Sequence, residues 1–245
     1  MPRNIQAVLF DLGNTLMYPN ASWPPIFDQA GKAMGEYLRS RKIDVDSSSF
    51  SDEFLRRLNQ YYAERERSMI ETSSLAILKD MLTEQGHANL PQELLRAALD
   101  DYYAVTQQNW LLENDAIPTL IKLRSEAFHV GLVSNASDSR DVLALVDKFG
   151  IQEYFDFILV SADCGYRKPH PRIFELALAH WGYLPDEIVM VGDRLDADIG
   201  GARPLGIYTI WIKRRAKDAP PPFPPPNATV QTLSEIPPLL LEQFK

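Results

Sequence analysis

Asp11 lies in FDLGNTL, directly after the apolar run Ile5 to Leu9, and puts a carboxylate where a strand should end. Later apolar runs end in the same way. Ser134 and Asn135 follow HVGLV, Lys168-Pro169 opens the loop and helix after FDFILVS, and Gly192-Asp193 follow EIVMV, with Asp198 five residues on. If these runs are parallel strands, all of these residues gather beyond their carboxyl ends, where ligands bind in open α/β sheets. A lysine facing Asp11, Asp193 and Asp198 leaves a surplus of carboxylates. The natural neutraliser is a hard, oxygen-seeking divalent cation, and Mg2+ is the obvious one. With the charge balanced, Asp11 can approach an anion, while Ser134, nearby backbone N–H groups and Lys168 can hold phosphoryl oxygens.

The elements that must position these residues are legible as a βα alternation interrupted once. The opening run predicts a strand over residues 5–11. From residue 116 the pattern is helix then short apolar run, repeated: HVGLVSN (129–135), FDFILVS (155–161), EIVMVGD (187–193) and IYTIWI (207–212), with a weaker ATVQ after them. Runs apolar on both faces and separated by helices suit a parallel sheet covered by helices. Residues 24–109 show helical periodicity and no convincing strand. Phe54, Leu58 and Tyr61 form one stripe, Leu75, Leu78 and Leu82 a second, and Leu94, Ala98, Tyr102 and Val105 a third. Ser51 or Asp52 is expected to start the second helix, Ser73 the third, and Pro91 to occupy the first turn of the fourth. The many aromatic residues there read as packing, with Trp23 of MYPNASWPP either packing or lining an entrance. APPPFPPPN (219–227) reads as a stiff surface connection to the last strand.

Composition narrows the classes. At 245 residues, 45% of them hydrophobic and 24% charged, the chain suits one globular core with a sizeable insertion. A formal net charge of −8 argues against nucleic acid or an anionic membrane as partner, and leaves small anions that meet a local cation. The single Cys164 excludes an intramolecular disulfide and reads as a buried bystander. The start of the chain reaches Asp11 too soon for a signal peptide, and no apolar run approaches the roughly 18 residues of a membrane span. A cytoplasmic protein is the expectation.

Taken together, FDLGNTL, VSNAS, YRKPHPRIF and VGDRLDADIGGA resemble, in order and in place, the four motifs of the haloacid dehalogenase-like hydrolases. The resemblance implies an α/β fold with a Rossmann-like parallel sheet core over 1–17 and 110–245, and an all-helical cap domain over 18–109. It implies a Mg2+-dependent phosphoric monoester hydrolase acting on a small phosphorylated metabolite. Asp11 would be the nucleophile that becomes an aspartyl-phosphate, Thr15 and Ser134 would hydrogen-bond the nucleophile and phosphoryl group, and Lys168 would steady both charges. Asp193 would bind the metal directly, with Asp198 ligating through water or orienting the shell, Gly13 would offer its backbone carbonyl, and Asn135 would line the pocket. Arg194 and Asp196 are expected at the surface.

One departure stands out. The family's phosphatases carry an aspartate two residues after the nucleophile, where it protonates the leaving oxygen and later activates water; here that residue is Gly13. General acid–base catalysis contributes about 10² to 10⁴ in rate, so its loss weakens a phosphatase without abolishing it. His170 is the nearest substitute acid in the sequence. Two rivals stay open: a dehalogenase- or phosphonatase-type C–X hydrolase, with Lys32 or Lys79 as a cap lysine, and a catalytically weak regulatory or scaffold protein that binds a phosphorylated ligand.

Overall fold

The computed structural model describes residues 4–216 and 223–244. Strand β1 (Ala7–Phe10) is followed by a short β2 (Met17–Pro19) and then by helices α1 (Trp23–Ser40), α2 (Ser47–Ser68), α3 (Ser74–Glu84) and α4 (Gln92–Thr106). The chain returns through β3 (Trp110–Leu112), α5 (Ala116–Ser125), β4 (His129–Ser134), α6 (Ser139–Lys148) and β5 (Phe157–Val160). It continues through α7 (Ser161–Cys164), α8 (Pro171–Trp181), β6 (Ile188–Gly192), α9 (Gly200–Ala202), β7 (Tyr208–Ile212), β8 (Ala228–Val230) and α10 (Ile236–Phe244).

Six strands form one sheet in the order β5-β4-β1-β6-β7-β8, with every neighbouring pair parallel. Alternation along β1 explains why its run is apolar throughout. Val8 and Phe10 join Leu120 of α5, Val146 of α6 and Leu240 of α10 on one face, while Ala7 and Leu9 meet Ile173 and Phe174 of α8 on the other. Phe10 pairs with both Leu132 and Val191, so the chain leaves β1, β4 and β6 at one edge. That register gathers the chemistry-bearing residues.

The block between β2 and β3 is helical, as its periodicity predicts, with a separate cluster built on Met34, Leu38, Phe54, Leu78, Met81 and Leu99. Three local details differ from the sequence-based expectation. Helix α2 begins at Ser47, upstream of Ser51 and Asp52, because Asp46 accepts from the Ser49 N–H through Oδ2 (3.3 Å) and from the Phe50 N–H through its carbonyl (2.8 Å). Pro91 sits in the cap position of α4, one residue earlier than expected, whereas Ser73 caps α3 by accepting from Ala76 N–H. The buried line of α4 runs through Leu95, Ala98, Leu99 and Tyr102, leaving Leu94 and Val105 half-buried. The antiparallel β2–β3 ladder was not expected; its three-residue strands are too short to show a period. Cys164 is half-buried and donates to the Tyr166 carbonyl (3.2 Å). Residues 219–222 of the proline-rich segment lie outside the described residues. No helix among the described residues is long and apolar enough to cross a membrane.

The helical block is tied to the sheet's loops at several points. The buried Glu71 side chain accepts from the Tyr61 hydroxyl, from Ser161 Oγ (2.6 Å) and from Arg167 Nη1 (3.4 Å), with Arg65 Nη1 at 3.7 Å. Beside it the backbone of Ile70 bridges to that of Tyr166. The Ser74 N–H donates to the Ser137 carbonyl (2.9 Å), and Arg96 pairs with Asp138 (2.5 Å). At the connecting strands, Arg214 and Arg215 hold Glu113 at 2.7 and 2.8 Å, and Arg215 lies 3.7 Å from the Tyr18 ring centre. Removing Glu71 takes away the buried carboxylate that Arg65, Arg167, Tyr61 and Ser161 share. Glu71→Ala is therefore expected to lower the unfolding free energy by roughly 3–5 kcal/mol in a urea titration. An unchanged midpoint would refute the anchoring role.

Candidate active site

Lys168 is the centre of the cluster at the strand ends. Its side chain is 1% exposed, and Nζ donates to Asp11 Oδ1 (2.7 Å) and to the Val133 carbonyl (2.7 Å), with Asp198 Oδ1 also at 2.7 Å. Burial pulls its pKa down, but Asp11 and Asp198 outweigh burial and hold it above the ordinary lysine value. Its backbone is fixed by Asn135, whose Oδ1 accepts from Lys168 N–H and whose Nδ2 donates to the Lys168 carbonyl, both at 2.8 Å. The Lys168–Pro169 peptide is cis. Asn135 thus lines the cavity, as expected, and also holds the lysine's main chain in place.

Asp193 and Asp198 come from one turn after β6. The Trp211 indole N–H, on the neighbouring β7, donates to the Asp193 carbonyl (2.8 Å), and the Arg194 N–H donates to Asp198 Oδ2 (3.0 Å). Residues Leu195–Ile199 form a π turn that runs into α9. Gly192 makes room for this. A Cβ there would lie 2.2 Å from Asp198 Oδ2, a collision that no L side chain tolerates. Arg194 and Asp196 pair with each other, and Arg194 is exposed at the cavity rim.

Burial pushes the Asp193 carboxyl up to about 8, with Asp11 and Asp198 adding to the effect. Asp198 rises to about 6, by burial first, against the pull of Lys168. Burial is the first cause of both shifts, and the neighbouring carboxylates add to it. Carboxylate oxygens of Asp11, Asp193 and Asp198 lie within 4.8 Å of one another, all buried. An all-oxygen, anionic donor set of this kind fits a hard divalent cation.

These residues wall a cavity of about 200 Å³, together with Gly13 and Ser134. Thr15 is not in its wall. The Thr15 hydroxyl is buried and has no hydrogen-bond partner, Asp11 included. His170 is also absent: its Nδ1 caps α8 by accepting from Arg172 N–H (3.1 Å), and its ring lies 4.6 Å from that of Tyr166. Helix capping, not proximity to Asp11, accounts for that histidine. Lys32 is exposed and paired with Asp28, and neither it nor the exposed Lys79 lines the cavity.

Sequence reasoning passed over Arg65, Trp110, Asp141 and Arg167, all of which line the cavity. Only Arg167 carried a signal, as the neighbour of Lys168. A second cavity of about 250 Å³, walled by Trp23, Phe27, Leu58, Tyr62, Tyr102 and Tyr103 among others, adjoins the first. Trp23 therefore lines an aromatic chamber as well as packing on Phe27 (5.0 Å) and Trp110 (5.1 Å).

The family model described as haloacid dehalogenase-like hydrolase matches residues 5–206, spanning all four strand-end sites. The chain belongs to the haloacid dehalogenase-like hydrolase family. Within this family it is 31% identical over 210 residues to a glyceraldehyde 3-phosphate phosphatase of Methanopyrus kandleri, covering 86% of this chain and 84% of the relative. It is 32% identical over 206 residues to a ribulose-1,5-bisphosphate 5-phosphatase of Halopiger xanaduensis, covering 83% of each. The fold is that of a 2-haloacid dehalogenase from Pseudomonas syringae (TM-score 0.71, 24% identity, 97% of this chain and 99% of the other). As a member of this haloacid dehalogenase-like family, the protein is a hydrolase.

The close approach at Gly192 gives a test independent of activity. A crystal structure of Gly192→Ala is expected to show the Asp198 carboxylate displaced from Lys168, with unfolding free energy lowered by about 1–3 kcal/mol. An undisturbed Asp198 would remove the steric argument.

Proposed function

We propose that the protein is a divalent-cation-dependent phosphoric monoester hydrolase that works through an aspartyl-phosphate on Asp11. The observation that carries this reading is the Asp11–Asp193–Asp198 cluster around Lys168, because attack on a neutral C–X centre needs no such concentration of acids. The names of the relatives, which are phosphatases of small phosphorylated sugars, support the same reaction class. The absence of Lys32 and Lys79 from the cavity wall removes the sequence's candidates for a Schiff-base lysine.

Asp11, Asp193 and Asp198, with the Gly13 carbonyl, would hold Mg2+, which when bound offsets their charge and that of a phosphoryl group. Lys168 orients the Asp11 carboxylate through Oδ1 and leaves Oδ2 to attack phosphorus. Ser134 Oγ offers a donor to the phosphoryl oxygens, and Lys168, whose ammonium is taken by Asp11, Val133 and Asp198, offers them its charge. Asn135 keeps Lys168 in register. We take residues 18–109 as a cap domain over a core of 1–17 and 110–245; the cap supplies most of the aromatic chamber for the organic part of the substrate. Arg65, whose Nε is buried without a partner, offers that part a cation.

Phosphate release from a panel of phosphorylated metabolites is the direct assay. Turnover with Mg2+ should vanish with EDTA and in Asp11→Asn, and acid-quenched wild-type protein should carry phosphate on Asp11. Undiminished turnover by Asp11→Asn would overturn the reading.

A further inference from the structure

The phosphatase reading leaves a proton unaccounted for, because Gly13 supplies no acid to the leaving oxygen. A monoester with its phosphoryl group against Asp11 and its organic part in the aromatic chamber must carry its bridging oxygen through the seam between the two cavities. Among the described residues five line both: Arg65, Trp110, Asn135, Ala136 and Asp141. Among them only Asp141 has a side chain that can give and regain a proton near neutral pH. It is also the one carboxylate in the catalytic cavity's wall, among the described residues, outside the Asp11–Asp193–Asp198 cluster.

Resting on the phosphatase reading, we propose that Asp141 is the general acid and base of this protein, filling from helix α6 the role that the residue after Leu12 lacks.

Its hydrogen bonding suits the role. Gln107 Nε2 donates to Oδ1 (2.9 Å) and orients the carboxyl, while Oδ2 has no hydrogen-bond partner among the described residues. The adjacent Asp138 differs: it accepts from two backbone N–H groups at the start of α6 and from Arg96, so its oxygens are committed. Position 13 points to the same place, since a Cβ on Gly13 would meet the Trp110 ring at 3.5 Å, and Trp110 is a seam residue. An acid on Gly13 and the acid on α6 would serve one oxygen from two sides.

The electrostatic surroundings keep a proton on Asp141 in the neutral range. Burial pushes its carboxyl up to about 7; the Gln107 hydrogen bond opposes this, Asp138 adds to it and Arg96 opposes it. Arg65 and Tyr62 of α2, Tyr102 and Tyr103 of α4, and Asp11 and Lys168 across the cavity complete the groups around it. The protons balance. Asp11 forms its bond to phosphorus as the P–O bond to the leaving group breaks, and that oxygen takes the Asp141 proton. Water then attacks phosphorus, gives its proton to the Asp141 carboxylate, and the P–O bond to Asp11 breaks.

The test is a series of substituted aryl phosphates, from 4-nitrophenyl to 4-methoxyphenyl phosphate, hydrolysed by the full chain with Mg2+. On kcat/KM, which reads the step that forms the aspartyl-phosphate, Asp141→Asn should cost 4-methoxyphenyl phosphate at least about 100-fold more than 4-nitrophenyl phosphate, steepening the leaving-group dependence, while kcat on 4-nitrophenyl phosphate also falls because water attack loses its base. Adding Gly13→Asp should flatten the dependence again. In the wild type, kcat on poor leaving groups should fall as pH rises through about 7 and Asp141 loses its proton. Gln107→Met, which removes a bond that lowers that pKa, should move this limb to higher pH and serves as the check if Asp141→Asn does not fold. A uniform loss across the series, an unchanged slope, or a limb that Gln107→Met leaves in place overturns the assignment of Asp141 alone. A wild type that hydrolyses no phosphate ester overturns the phosphatase reading and this inference together.

Discussion

The structure depends on one buried ammonium placed among carboxylates. Lys168 is 2% exposed, and burying a lone charge costs far more than a fold's net stability unless it is paired. Asp11 and Asp198 supply the pairing, Val133 supplies a carbonyl, and Asn135 fixes the main chain that presents the lysine. They come from the ends of three strands, β1, β4 and β6. The parallel register of β1, β4 and β6 is therefore as much a requirement of the charge cluster as of the apolar core.

The cluster is overfilled with negative charge, and the excess explains its surroundings. Asp193 and Asp198 hold protons more tightly than free carboxyls do, and further cations line the cavity: Arg194 beside Asp193, Arg65 from the helical block and Arg167 from the loop beneath it. Glu71 ties Arg65 and Arg167 together, so the anchor of the helical block and the charge balance of the cavity share residues. An anion entering from the aromatic chamber meets cations on both sides of the seam.

Much of this was legible in the sequence because it depends on local pattern. The apolar runs predicted the sheet, and Asp11, Ser134, Asn135, Lys168, Asp193 and Asp198 line one cavity as their positions at strand ends implied. What was hidden depends on contacts distant along the chain. Arg65, Glu71, Trp110 and Asp141 sit in unremarkable helical or loop contexts, and only packing of the helical block on the sheet's loops gives them a place. His170 misled for the converse reason: its proximity in sequence to Lys168 is spent on capping a helix. Thr15 lies near Asp11 in sequence, yet its hydroxyl is buried and is not part of the cavity wall.

Trp110 belongs to β3, one of the two strands joining the helical block to the sheet, and it lines both cavities. Its ladder partner β2 descends directly from the loop that carries Asp11 and Gly13. The hinge-like connection between helical block and sheet is therefore also a stretch of wall common to the two cavities.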